Sequence, residues 1–152
     1  MSAAPRTFSR RWVPTIARWP ARLDGGQVSS VPVLTPDRTA TALEVAGGRP
    51  DPAAPLDGAS LAGYLLRGEG PPERDLFWRH RGERALRRGK WKYHRAERAK
   101  LPVNHGRDVL FDLEQDPSEC ADHSLREPAL LAELRAAWEA VDAGLLPYPP
   151  AV

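Results

Sequence analysis

A single cysteine, Cys120, stands among 152 residues, so no disulfide framework can form, and one thiolate with four scattered histidines cannot assemble a zinc finger. No uninterrupted apolar run approaches the ~20 residues needed to cross a bilayer, so no membrane partner is expected. The first 23 residues contain no acid, and Ser9-Arg10-Arg11 imitates the start of a twin-arginine export signal. Pro14, Arg18, Pro20 and Arg22 then interrupt the apolar stretch such a signal needs. A soluble chain, cytoplasmic by default, is therefore expected. The sequence also lacks a G-x-S-x-G elbow, a glycine-rich phosphate loop, an H-E-x-x-H pair and any internal repeat.

What is present is an ordinary globular composition, 41% hydrophobic and 28% charged, punctuated by 16 Pro and 12 Gly that imply many turns and few long elements. The net charge of +2 hides an asymmetry. Between Arg79 and Lys100 there are ten Lys or Arg against two acids, Glu83 and Glu97, giving +8; the remainder, with 12 bases and 18 acids, carries −6. Such a cationic stretch could attract anions.

Local patterns divide the chain near Gly70-Pro71-Pro72. The β-branched and aromatic run Trp12 to Trp19 reads as a short strand closed by Pro20. Thr35 as N-cap, Pro36 at the first helical position and Gly47-Gly48 past the end predict a helix of about three turns. A second short helix is expected from Ser60 to Leu66, ending at Gly68.

From Asp75 the period becomes two, with Leu76, Trp78 and His80 on one side and Phe77, Arg79 and Arg81 on the other. Further extended runs at Arg84 to Arg87, Trp91 to His94 and Val109 to Leu113 complete four strands joined by tight turns, an antiparallel sheet with one wet face. Leu130, Leu131, Leu134, Trp138 and Val141 recur at helical spacing, and Ser124 and Glu127 have capping-box spacing, with Pro128 as an alternative first helical residue. The fold class is α+β: a small four-stranded antiparallel sheet covered by a C-terminal helix, preceded by a strand and two short helices. The expected organisation is an irregular stretch over 1–11, a strand-and-helix segment over 12–70 and the sheet-plus-helix subdomain over 71–152.

Candidate chemistry is sparse. Asp108, Asp112 and Asp116 fall every fourth residue, yet on a strand leading into a turn they would not converge on a metal. Cys120 lies in a polar turn and reads as an incidental surface thiol. The basic hairpins admit three readings: a solvated face with arginines over aromatic neighbours, a polyanion or nucleic-acid platform interleaving Arg with Trp78, Trp91 and Tyr93, or the border of a pocket for an anionic substrate. His80 sits at a strand end, as a packed histidine or as a rim residue.

The order of segments resembles the C-terminal part of the sulfatase family, arylsulfatase-like enzymes of the alkaline-phosphatase superfamily. The matching stretches are Val13-Pro14-Thr15-Ile16-Ala17-Arg18-Trp19-Pro20, Gly26-Gln27-Val28, Asp37-Arg38-Thr39-Ala40-Thr41 with Ala46-Gly47, and Leu56-Asp57-Gly58-Ala59-Ser60-Leu61. They continue with Leu76-Phe77-Trp78-Arg79-His80, Arg84-Ala85-Leu86-Arg87 with Gly89-Lys90-Trp91-Lys92-Tyr93, and Leu110-Phe111-Asp112-Leu113 with Asp116-Pro117-Ser118-Glu119.

The resemblance implies hydrolysis of sulfate esters by a formylglycine beside a calcium ion. In the family that formylglycine arises from a cysteine in a C-x-P-S-R or C-x-A-S-R setting. Cys120, followed by Ala121-Asp122-His123-Ser124, does not match, and Thr7-Phe8-Ser9-Arg10-Arg11-Trp12 lacks the sulfate-contacting lysine and the Glu-Gly-Gly of the family's corresponding stretch. No cofactor is therefore expected in this chain; calcium and formylglycine belong to a catalytic half, and the chain is expected to be inactive alone.

If residues here touch an anionic sulfate ester, the resemblance favours His80, with Arg79 and Arg84 as anion-attracting neighbours. Residues 12–70 would then be a remnant of the larger α/β domain, and cutting them from it is expected to leave a chain of marginal stability or one that needs a partner such as a separate catalytic half. The alternative is a small polyanion-binding module using the Arg79 to Lys100 face and losing salt-dependent retention when Arg84, Arg87 and Arg88 are neutralised. Nucleic acid is not an expected partner of the first reading.

Overall fold

The computed structural model describes residues 13–80, 82–96 and 106–147, which form two compact units dividing between Glu73 and Arg74. Among the described residues no helix is long and apolar enough to cross a membrane.

In the unit from Arg74 onward, β1 (Leu76–His80), β2 (Glu83–Arg88), β3 (Trp91–Ala96) and β4 (Asp108–Asp112) form an antiparallel sheet in sequential order, followed by the C-terminal helix Pro128–Ala143. The α+β sheet-and-helix architecture expected from the periodicities is present. Gly89, with φ of 56°, allows the tight β2–β3 turn. The β3–β4 connection, residues 97–107, is longer than the tight turn expected, and most of it lies outside the described residues.

Register aligns Phe77, Leu86, Tyr93 and Leu110 in one row across the sheet. Leu86, Tyr93 and Leu110 form the core with Leu134 and Trp138 of the helix, and Phe77, Trp91, Leu130 and Leu131 pack around it. Val141, expected in the same stripe, is largely exposed. The helix has Glu127 as N-cap and Pro128 as its first residue. Ser124 does not cap it, because its hydroxyl donates to Asp122 Oδ2 at 2.9 Å. The outer edge of β4 is blunted by the following loop: Asp122 Oδ1 accepts the Leu110 N–H at 3.2 Å, and the His123 N–H donates to the Leu110 carbonyl at 2.8 Å.

The expected wet face is not wet. Leu76, Ala85, Val109 and Phe111, which alternate with the helix-facing row, are all buried, as are His94 and Lys92. These strands carry apolar groups on both sides, so neither face can be left in water without loss of hydrophobic free energy.

The unit Val13–Glu73 holds two helices, Thr35–Val45 and Ala62–Arg67. Residues 13–19 form no strand; they are exposed and lead into a turn at Trp19, while Trp12 lies outside the described residues. The period suits a strand, but a strand needs a neighbour to bond. Thr35 is the first helical residue rather than the cap. Leu34 takes the N-cap position with no side-chain cap of its own, and the Asp37 carboxylate at the third helical residue reaches back to accept the Leu34 N–H at 2.6 Å.

Asp37 is fully buried and also accepts the Ala59 N–H at 3.1 Å, while Thr41 donates to the Asp37 carbonyl and accepts the Leu61 N–H at 2.9 Å. The Leu56-to-Leu61 loop is thereby stapled to the helix. A methyl group at Gly58 would be driven into the Pro36 carbonyl and to within 2.6 Å of the Asp37 nitrogen. Gly58→Ala is therefore expected to destabilise this unit by roughly 1–3 kcal/mol. Faster hydrogen exchange at Ala59 and Leu61 checks this, and unchanged rates would contradict it.

Candidate functional site

The cationic run is concentrated on the hairpins, but alternation sends its members to opposite faces, where acids from distant segments meet them. On the helix side Arg79 pairs with Asp142 at 2.7 Å and donates to the Leu146 carbonyl at 2.8 Å. Arg88 makes a two-pronged bond to Asp75, 2.7 Å on each arm, and also meets Glu133. Those carboxylates hold the Arg88 guanidinium more firmly protonated than usual. Lys90 lies 2.9 Å from Asp112, and Arg95 lies 3.5 Å from Asp108, which also accepts the Tyr93 hydroxyl at 3.0 Å.

On the second face Lys92 Nζ reaches both Glu119 oxygens, at 2.9 and 3.1 Å. Burial pulls the Lys92 ammonium below its ordinary value, against the attraction of Glu119. Arg87 is likewise lowered by burial, with Glu119 opposing, and donates to the Gly89 carbonyl at 2.8 Å. Of the described cations in the run, Arg79, Arg88, Lys90, Lys92 and Arg95 are thus met by carboxylates in space, which weakens the case for a polyanion platform. The described part of the run is woven into the fold rather than presented as one basic surface.

The three candidate substrate residues do not converge. Arg79 and Arg84 are cross-strand partners facing the helix, with the Arg84 guanidinium 5.0 Å from the centre of the Trp138 ring. His80 falls on the opposite side of the sheet, opposite Glu83 in register, and is exposed at the end of β1. Arg79 and Arg84 therefore fasten the helix to the hairpin, and of the three only His80 has the rim position. Sequence reasoning missed Glu119 and Asp142, whose partners lie 27 and 63 residues away. The Asp116-Pro117-Ser118-Glu119 stretch held the signal: Asp116 accepts the Ser118 and Ala121 N–H groups and so shapes the turn that turns Glu119 inward.

His94, buried in the second face, is pushed down to about 4 by burial and, secondarily, by Lys92. It is held neutral in the folded chain, whereas in the unfolded chain it titrates near 6.5. The unfolded state binds the extra proton between these values, so stability falls as pH drops from about 6.5 to about 4, by up to about 3 kcal/mol. Urea midpoints of the native chain and of His94→Gln across that window check this; parallel pH profiles would refute it.

No protein-family model matches the chain. Solved structures do resemble it. A sulfatase of Bacteroides thetaiotaomicron, BT33336S-sulf, from work on the metabolism of multiple glycosaminoglycans, aligns with a TM-score of 0.58 and 22% identity over 70% of this chain and 24% of its own. Ps i-CgsB, a carrageenan sulfatase, aligns with a TM-score of 0.56 and 28% identity over 68% of this chain and 23% of its own. Its complex with k-i-k-neocarrahexaose gives 0.54 and 29% over the same shares. The chain spans about a quarter of the length of these sulfatases.

The formylglycine and calcium of the resemblance do not fit the residues described. Cys120 is an exposed thiol in the turn after Glu119, outside the required motif, and Asp108, Asp112 and Asp116 each serve separate partners. Among the described residues no three His, Cys, Asp or Glu gather as a metal cage.

Proposed function

We propose that this sulfatase C-terminal-like domain serves sulfate-ester hydrolysis as the non-catalytic part of a sulfatase, with the formylglycine and the calcium ion supplied by a catalytic part outside the matched region. The observation that supports this reading is the alignment with Ps i-CgsB, 28% identical over 68% of this chain yet over only 23% of the carrageenan sulfatase. The sheet and helix then act as a rigid wall, and the substrate is an anionic sulfate ester, aryl sulfates included. His80 is the residue proposed to touch it, supported by its exposure at the end of β1, while Arg79 and Arg84 position the helix behind that wall.

The purified chain is expected to leave nitrophenyl sulfate intact, and the same chain joined to the catalytic part of Ps i-CgsB to hydrolyse it. In the joined protein His80→Ala should lower kcat/KM by roughly 10- to 100-fold, the worth of one hydrogen bond to a charged group. Turnover by the chain alone, in proportion to its concentration, would overturn the functional reading. Unchanged kinetics on His80→Ala would remove His80 from the site.

A further inference from the structure

We propose that the corner formed by Arg84 and Arg95 of the sheet and Arg135 of the C-terminal helix binds one tetrahedral oxyanion, a sulfate or phosphate group, on the face opposite His80. Register places Arg79, Arg84, Arg95 and Asp108 in one row across all four strands, so Arg84 stands directly opposite an arginine on each side. Like charges directly opposite one another destabilise a sheet. Carboxylates meet the row at its ends, Asp142 beside Arg79 and Asp108 beside Arg95. An anion seated between Arg84 and Arg95 would relieve the repulsion in its middle.

Asp108 is a weak partner for the arginines around it. Its Oδ1 accepts the Tyr93 hydroxyl at 3.0 Å, while Arg95 and Arg135 approach the carboxylate only to 3.5 and 3.4 Å. A charge-assisted bond is shorter, about 2.7–2.9 Å. Arg88 shows the contrast, with 2.7 Å on each arm to Asp75. Arg95 Nε is buried and, among the described residues, has no hydrogen-bond partner, so its desolvation is unanswered. Arg135 is half exposed, and Glu139, one turn along the helix, lies 3.7 Å away.

The donor set selects the class of ligand. Guanidinium forks match pairs of oxygens on sulfate and phosphate, and forks brought from two strands and a helix suit a tetrahedral group, whereas a carboxylate offers its oxygens in one plane. Trp138 fixes one of the forks: the Arg84 guanidinium lies 5.0 Å from the centre of its ring. A single anion rather than a polymer backbone is the occupant, because the neighbouring cations Arg79 and Arg88 are engaged by Asp142 and Asp75.

Titration of the full chain with sodium sulfate, sodium phosphate and sodium methyl sulfate, against sodium chloride at equal ionic strength, tests the site through the NMR signals of the arginine Nε–H groups. Sulfate should shift Arg84, Arg95 and Arg135 saturably, with a Kd of about 1 mM or tighter, and leave Arg88 in place. Sulfate acting no differently from chloride, or shifting Arg88 as much as Arg95, would overturn the proposal. Arg95→Gln should weaken sulfate binding by at least about 10-fold, the worth of one charge-assisted bond, and undiminished binding would also overturn it. Should that variant fail to fold, Arg95→Lys serves: it keeps the charge and loses the fork, so a smaller loss of affinity is expected and an unchanged affinity would count against the site. Methyl sulfate binding as tightly as inorganic sulfate would uphold the site and identify a sulfate ester as its ligand. Binding of the inorganic anions alone would uphold it for free sulfate or phosphate.

Discussion

Replacing Glu119 with alanine is expected to destabilise the sheet unit by about 3–5 kcal/mol, because it leaves the Lys92 ammonium buried without its counter-charge. The side chains are 7% and 0% exposed, so water cannot take over the carboxylate's role. Lys92→Met should be comparably damaging, since it strands the carboxylate instead. The double replacement Lys92→Met with Glu119→Leu is expected to recover most of the loss, because a buried ion pair exchanged for apolar groups of similar volume leaves no unpaired charge.

Glu119 also holds a left-handed backbone, with φ of 55°. Glu119→Gly should therefore be less harmful than Glu119→Ala by about 1 kcal/mol, the strain relieved by glycine. Urea unfolding of the four variants decides the matter. Single replacements costing less than about 1 kcal/mol, or a double variant as unstable as the sum of its parents, would show that the pair does not hold the second face together.

Trp138→Ala should cost about 3–5 kcal/mol, the range for deleting a large buried aromatic from a packed core. The indole stacks on Phe77 with centroids 5.3 Å apart, donates its Nε1–H to the Trp78 carbonyl at 3.0 Å and lies beneath the Arg84 guanidinium. It therefore joins the helix to the edge strand and to the hairpin at once. Trp138→Phe keeps the packing but leaves the Trp78 carbonyl without this donor, so a smaller loss of about 1 kcal/mol is expected. Thermal or urea unfolding separates the two. A Trp138→Ala chain within 1 kcal/mol of the parent would mean that the sheet does not depend on this anchor.

Much of the sheet-and-helix unit was legible because its signals are local. Period two from Leu76, glycines at the turns and the Leu134-to-Trp138 stripe each report a backbone state that neighbouring residues enforce. Where the reading failed, the deciding partner was distant. Residues 13–19 have strand composition but no strand to bond, and Thr35 gives the N-cap to Leu34, whose N–H is held by the same Asp37 carboxylate that accepts the distant Ala59 N–H. The candidate site suffered the same way: alternation placed Arg79 and His80 on opposite sides, yet only the packing revealed that Arg79 and Arg84 are occupied by the helix.

By itself the amino-acid order determined the α+β class, the four extended runs and the C-terminal helix, and it carried the likeness to sulfatases. Propensity, turn chemistry and periodicity act over a few residues and survive in a linear string. Tertiary structure alone decided which face of the sheet meets the helix, that apolar groups of the other face are also buried, and that Arg79, Arg88, Lys90, Lys92 and Arg95 of the cationic run meet Asp75, Asp108, Asp112, Glu119, Glu133 and Asp142. Charge pairing depends on distance in space, and residues far apart in the chain approach one another only when the sheet and helix have closed.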